Sequence, residues 1–445
     1  MRCATLRVPL DWSDPAGEQI DLAVAKVPAS GGADERLGTI VTNPGGPGGS
    51  GVAFVASNPF GGELALRFDQ VSWDPRGVGA STAVTCGETA ASAFLHADPD
   101  PDTAAEQATL DQLARAVSDD CAMHDADLLA HVGTSDVARD LEALRLAIGD
   151  GPINYVGFSY GTQIGQLYAE MFPTGVRSMV LDGVVDPSLG FTEFLIGQVE
   201  GFEAAFAEQA AACAKETDAC GVADLSTAYD RVKERVERDP LPAGAGPGAG
   251  PGAGRSVGPA ELATAAIYTG YRTDGWRDLG PALATALDGD GSGLASLSDG
   301  YHDLGGYAAY AGVVCSDTPP PADPTAWKAF ADQARARSPR FGGSIANELL
   351  PCATWPVRSA QVPAAVDASV ASDAPPVLVV GNTGDPATPL SNARSVAGRM
   401  RSAVLVTVDI DGHTAYGRDR CATKVIDAYL LSLTLPAGPT ICPPG

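Results

Sequence analysis

The sequence predicts an α/β protein with a mostly parallel central sheet, interrupted by an inserted, mainly helical segment. Three observations predict it. Short β-prone apolar runs alternate with helix-patterned stretches from residue 1 to about 187, and again from about 365 to 445. Between about 188 and 364 that alternation breaks and the chain reads as helix-rich. Finally, Gly157-Phe158-Ser159-Tyr160-Gly161 stands between a β-prone run and a helical one, the context of a nucleophile on a sharp strand-to-helix turn.

In chain order, residues 6–10 and 20–27 read as an opening antiparallel pair. Residues 39–42, 70–73, 153–156 and 178–181 are short apolar strands of buried-sheet type. Residues 135–148 form an amphipathic helix with Ser135 at its start and Val137, Leu141, Leu144 and Ile148 on one face. In the inserted segment, Phe191, Phe194, Leu195, Val199, Phe202 and Phe206 recur at helical spacing. The Ala-Gly-Pro run 243–254 has no apolar side chains large enough to bury and is expected to be a flexible loop without a catalytic role. The final part predicts a strand at 376–381, a helix, a strand at 403–408 and a last helix from 423 to 433. No convincing internal repeat is present.

The chemistry follows from four pieces. Ser159 lies on the elbow, where the turn exposes its hydroxyl and the next helix aims its N-terminus at a developing oxyanion. Serine needs a base, and the base an orienting acid, in the order Ser, Asp/Glu, His for this architecture. Of the five histidines, His96, His124 and His131 precede Ser159, and His302 lies in a mid-chain helical region. His413 follows a strand, in a Gly-His loop, and is the expected base. Asp385, on the loop after the preceding strand, is the expected acid, with Asp182 as the rival one strand after the serine. Thr388 is expected to cap the next helix and fix the Asp385 loop. The glycine-rich loop Asn43-Pro44-Gly45-Gly46-Pro47-Gly48-Gly49-Ser50-Gly51 lacks a G-K-[ST] phosphate signature. It is therefore read as an oxyanion loop, with the N–H of Gly46 paired with that of Tyr160.

At 445 residues and 45% hydrophobic the chain can bury a large core, and its net charge of −26 argues against nucleic acid as a partner. No apolar run is long enough to span a bilayer. Histidines are scarce and H-E-x-x-H is absent, so neither metal nor cofactor is expected. Nine cysteines without C-x-x-C spacing read as disulfides in an oxidising compartment. Cys213 with Cys220 and Cys421 with Cys442 are the safest pairs. Cys315 with Cys352 and Cys86 with Cys121 are plausible, which leaves Cys3 over.

These residues resemble the tripeptidyl-aminopeptidase branch of the prolyl-iminopeptidase-like serine peptidases, within the α/β-hydrolase superfamily. The likeness runs along the whole chain. It includes Cys3-Ala4-Thr5, Val8-Pro9-Leu10-Asp11-Trp12, the glycine loop, Trp73-Asp74-Pro75-Arg76-Gly77-Val78-Gly79-Ala80-Ser81 and the elbow through Thr162. It continues through Leu181-Asp182-Gly183-Val184, Val314-Cys315-Ser316-Asp317, Cys352-Ala353-Thr354-Trp355-Pro356, the Asp385 loop and Gly412-His413. Arg76 occupies a family position and is read as loop-bracing. The resemblance implies an α/β-hydrolase core in two parts, 1–187 and 365–445, around a cap at 188–364. It implies a secreted exopeptidase that releases di- or tripeptides from free N-termini. Family members carry a leader before an N-terminal extension, whereas here Met1 stands close to the first strand with no charged-then-apolar run. Secretion is therefore expected from the cysteines.

A cap suits an exopeptidase because it closes the pocket beyond a few residues. A buried substrate ammonium would need a carboxylate. Glu193, Glu200 and Glu203 lie on the first cap helix, the last two on one face, and Asp317 stands beside Cys315. Glu200, Glu203 and Asp317 are the nominated substrate-binding residues. An esterase, tailoring hydrolase or acyltransferase acting on a small ester or amide would use the same triad, with a wholly apolar pocket in place of carboxylates. A non-catalytic binding protein would be expected to have lost one of the four pieces.

Overall fold

The computed structural model describes residues 1–86, 88–244, 255–321, 323–355, 357, 376–400 and 402–444. Its strands are β1 (Arg2–Pro9), β2 (Gln19–Val27), β3 (Gly38–Asn43), β4 (Phe68–Trp73), β5 (Ile153–Phe158), β6 (Val176–Asp182), β7 (Leu241–Ala243), β8 (Arg255–Val257), β9 (Val377–Gly384), β10 (Ala403–Asp411) and β11 (Thr440–Cys442). Nine of them form one sheet in the order β1-β2-β4-β3-β5-β6-β9-β10-β11. β1 pairs antiparallel with β2, and β2 with β4. From β4 onward every pairing is parallel.

The inner strands are buried on both faces, and their side chains alternate between two apolar layers. On β5, Tyr155 joins Leu141, Leu144, Ile164 and Tyr168 on one side of the sheet. Its neighbour Val156 joins Phe60, Val180, Val380, Ile426 and Tyr429 on the other. The first layer is covered by helices Thr134–Ile148 and Tyr160–Met171, the second by helix Arg420–Ser432. Helix Thr134–Ile148 starts one residue earlier than expected. Gly133 is its N-cap, Ser135 lies inside its first turn, and the left-handed Gly149 ends it.

Between β6 and β9 the regular structure of the described residues is helical except for the antiparallel pair β7 and β8. In helix Phe191–Lys215 the predicted stripe is present: Phe191, Leu195, Val199, Phe202 and Phe206 are all buried. The Ala-Gly-Pro run starts inside β7 at Ala243, which pairs with Arg255, while residues 245–254 lie outside the described residues. So does the expected 364/365 boundary. The strand β11 was not anticipated. Three residues of the C-terminal tail add to the sheet edge beside β10, and Cys442 is disulfide-bonded to Cys421.

All four expected cysteine pairs are bonded: Cys86–Cys121, Cys213–Cys220, Cys315–Cys352 and Cys421–Cys442. Cys3 is free and exposed on β1. Among the described residues no helix is long and apolar enough to cross a membrane.

Candidate active site

The parallel strands bring their C-terminal loops to one edge of the sheet, and the expected site residues come from four of those loops. Ser159 follows β5 with φ 54° and ψ −125°, a backbone region costly for a residue with a side chain. The two flanking glycines permit that turn. A Cβ at Gly157 would lie 2.3 Å from the carbonyl oxygen of Gly161, and one at Gly161 would lie 2.6 Å from that of Asn43. Ser159 N–H donates to the Asp182 carbonyl oxygen at 2.9 Å, which ties the elbow to the end of β6.

The glycine loop approaches from β3. A Cβ at Gly45 would fall 2.8 Å from Ser159 Cβ and 3.0 Å from the Tyr160 nitrogen. Only a bare backbone can come this close. Asn43 Oδ1 accepts from Gly45 N–H at 2.9 Å and shapes the turn. Tyr160 is the first residue of its helix, so its N–H has no intrahelical acceptor. Gly46, Ser159 and Tyr160 line one cavity together. Asp74 braces the far side of the loop, accepting from Ser50 Oγ at 2.7 Å and from Val52 N–H at 2.9 Å. Arg76 lies outside the cavity and is fully buried against Asp140, with both donor distances at 2.7 Å. It also donates to the carbonyls of Pro9, Leu10 and His131, which is a bracing role.

His413 and Asp385 are joined: His413 Nδ1 lies 2.9 Å from both carboxylate oxygens. Asp385 also accepts from the N–H groups of Ala387 and Thr388 at 3.0 and 2.9 Å. Thr388 is not the helix cap expected of it. Pro389 holds that position, and Thr388 Oγ1 donates to Asp385 Oδ2 at 3.0 Å and lies 3.2 Å from His413 Nδ1. His413 Nε2 is buried without a hydrogen-bond partner among the described residues. The His413 ring rests on Gly183, one residue beyond β6 and beside the Asp182 carbonyl that Ser159 binds.

The rival acid has another task. Asp182 accepts from Ala415 N–H at 3.0 Å and Tyr416 N–H at 2.8 Å, so it holds the loop that carries His413. Burial pushes its carboxyl up to about 6, with those two N–H groups opposing the shift.

The acids nominated for substrate binding fare differently. Glu200 and Glu203 do share a helix face, but that face does not line the cavity containing Ser159. Glu200 pairs with Arg337, and Glu203 accepts from Arg340 at 2.9 Å and Ser338 at 2.5 Å. Their spacing located a face that carries ion pairs. Glu193 caps its own helix by accepting from Gly190 N–H. Asp317 does line the cavity, but its carboxylate accepts from Thr134 N–H at 3.0 Å and from Thr134 Oγ1, which lies 2.6 Å from Tyr160 Oη. Burial raises the Asp317 carboxyl to about 7. The cavity wall is otherwise mainly apolar and aromatic, with Phe194, Leu195, Phe202, Tyr271, Tyr301 and Tyr310 among its residues. It also holds Glu348, a residue that sequence reading missed. Glu348 sits in no motif, and its partners Tyr301 and Tyr307 come from two other helices, Ser292–His302 and Tyr307–Asp317.

Two family models match: one described as alpha/beta hydrolase fold, over residues 38–292, and one described as TAP-like protein, over residues 338–442. The chain is 34% identical to serine protease Hip1 of Mycobacterium tuberculosis, over 99% of this chain and 87% of that protein. It is 37% identical to carboxylesterase B of the same organism, over 100% of this chain and 86% of that protein. It is 32% identical to tripeptidyl aminopeptidase of Streptomyces lividans, over 100% of this chain and 84% of that protein.

Proposed function

This chain belongs to the TAP-like peptidase family of α/β-hydrolases, and on that premise we propose that it is a secreted serine exopeptidase releasing di- or tripeptides from free N-termini. The observation that carries the reading is the joined His413–Asp385 pair, whose imidazole packs on Gly183 next to the Asp182 carbonyl that holds the strained Ser159 turn; Ser159 opens into a cavity lined largely by the 191–348 helices. The four disulfides support an oxidising, extracellular or cell-envelope setting.

In this mechanism Ser159 Oγ attacks the scissile carbonyl carbon while His413 Nε2 takes its proton. Asp385 holds the imidazole through Nδ1 and stabilises the imidazolium. The N–H groups of Gly46 and Tyr160 stabilise the oxyanion. Collapse breaks the C–N bond, and His413 returns the proton to the departing amine, which is the new N-terminus of the shortened chain. Water, deprotonated by His413, then releases the short peptide as a free acid and restores Ser159.

The second reading is a small-ester hydrolase. It is favoured by the largely apolar cavity wall and by the name of one relative. A panel of free and N-acetylated tripeptide amides beside simple esters separates the two. If a carboxylate holds the substrate ammonium, acetylation should cost roughly 2–4 kcal/mol, or about 30- to 1000-fold in kcat/KM. Equal cleavage of free and acetylated peptides would promote the esterase reading. Ser159→Ala should abolish both activities with the fold intact, and a serine-directed phosphonate should label Ser159.

A further inference from the structure

Three carboxylates line the cavity that holds Ser159: Asp186, Asp317 and Glu348. Asp186 is neutralised by Arg399 and accepts from Ser188. Asp317 accepts from the backbone N–H and the hydroxyl of Thr134, which fixes it to the first residue of helix Thr134–Ile148. Glu348 differs from Asp186 in lacking a cationic partner among the described residues, and from Asp317 in accepting from tyrosine hydroxyls in place of a backbone N–H. Its Oε1 accepts from Tyr301 Oη at 2.7 Å, and among the described residues it has no cationic partner. It terminates helix Gly342–Glu348, and Tyr307 Oη donates to its carbonyl at 2.6 Å, which fixes the chain at that point.

The surroundings suit a cation. A row of rings leads from the reaction centre toward Glu348. The Tyr271 ring packs edge-on to His413 at 5.5 Å between centroids, and the Tyr301 ring lies 6.5 Å from that of Tyr271. Aromatic faces attract an ammonium, and a carboxylate with few donors retains lone pairs for its N–H groups. Burial raises the Glu348 carboxyl above the ordinary range, while the hydroxyls of Tyr301 and Tyr310 oppose the shift. A bound ammonium would supply the positive charge that this end of the cavity lacks.

We propose that Glu348, oriented by Tyr301 and Tyr310, is the receptor for the α-ammonium of the substrate, and so the residue that limits cleavage to chain ends. This rests on the exopeptidase reading and names the contact that would enforce it. The role goes to Glu348 in place of Glu200 and Glu203, whose charges are already met by Arg337 and Arg340.

The test compares kcat/KM for tri-alanine p-nitroanilide and its N-acetyl form within each protein. Glu348→Gln keeps the size and an acceptor for the tyrosine hydroxyl but removes the charge. It should shrink the preference for the free amine by about 10- to 100-fold, mainly by slowing the free substrate. Glu348→Asp should keep part of the preference, and Tyr301→Phe should narrow it. A purely structural role would slow both substrates alike and leave the ratio unchanged, which would overturn the proposal while the exopeptidase reading stood. A wild-type enzyme with no preference would defeat that reading itself, and this proposal with it. Should Glu348→Gln fail to fold by circular dichroism, the ratios of Glu348→Asp and Tyr301→Phe decide: an unchanged preference in both overturns the assignment.

Discussion

His413 lies close to two buried aspartates with separate duties. Asp385 meets the imidazole itself, whereas Asp182 grips the backbone of the following residues through Ala415 and Tyr416. Substitution should therefore separate them. Asp385→Asn should lower kcat by about 10⁴-fold, as a triad with the wrong tautomer does. Asp182→Asn should lower it by at most about 100-fold, the scale of a catalytic group displaced by a fraction of its loop. Steady-state kinetics on the two variants checks the assignment, and a greater loss at Asp182 would reverse it. Asp317 makes a different prediction. Burial raises its folded carboxyl to about 7, above the ~3.9 of an unfolded aspartate. The native state therefore holds a proton that the unfolded chain has lost. The resulting stabilisation is full below pH ~3.9, declines through the window, and is gone above about 7. Asn at 317 does not titrate. Denaturant unfolding should show wild type losing stability relative to Asp317→Asn by up to about 1.4 kcal/mol per pH unit across that window. Equal pH slopes for the two proteins would contradict it.

Among the elements, the elbow and the glycine loop are locked by backbone contact, so they should not tolerate an added methyl. In Gly161→Ala the new Cβ would lie 2.6 Å from Asn43 O and 3.0 Å from Asn43 Oδ1, the atom that shapes the Gly45 turn. We expect a loss of about 1–3 kcal/mol by denaturant unfolding, with a fall in kcat because the oxyanion loop moves. Gly398 is the control. It lies exposed in helix Leu390–Arg399 with nothing within 4 Å of its Cβ position. Gly398→Ala should gain about 0.5–1 kcal/mol. The same contrast explains what was legible in the sequence. The parallel strands, the elbow and the Asp385 and His413 loops announce themselves locally, through apolar runs that end in Gly, Ser, Asp or His. The strand β11 did not, because three residues at a sheet edge carry no periodicity and depend on β10 beside them. Thr388 stands just before a helix, which suggests a cap, but its hydroxyl turns back to Asp385 three residues earlier and meets His413 only because the fold brings that loop beside it. Glu200 and Glu203 were nominated from helical spacing, which finds a shared face but not what packs against it. Arg337 and Arg340 come from a helix and a loop more than a hundred residues further along the chain.

At the scale of the whole molecule, the helical segment between β6 and β9 supplies most of the cavity wall over the Ser159 elbow, and two disulfides fasten it. Cys315–Cys352 bears most directly on function. It joins helix Tyr307–Asp317 to the turn Leu350–Thr354, with a sequence separation of 37. Tyr310 and Asp317 lie on one side of the bond, and Glu348 lies four residues before the other. The cross-link thus spans the wall that we assign to the substrate ammonium. Removing a loop constraint of this size costs about 3–4 kcal/mol in the chain-entropy account. The double variant Cys315→Ala/Cys352→Ala should melt at a lower temperature than wild type. Its KM for free-amine tripeptide amides should rise more than its KM for p-nitrophenyl acetate, because the ester needs only the Ser159 end of the cavity. The Cys421–Cys442 bond offers the contrast, since it fastens β11 to the last helix at the opposite sheet edge from β1, and neither cysteine lines the cavity. Its removal should lower the melting temperature without changing the ratio of the two KM values. Peptide mapping without reductant comes first, and should recover four pairs with Cys3 unpaired. Nine free thiols in the mature protein would remove the support for an oxidising compartment, and equal KM ratios in both double variants would separate the Cys315–Cys352 bond from substrate selection.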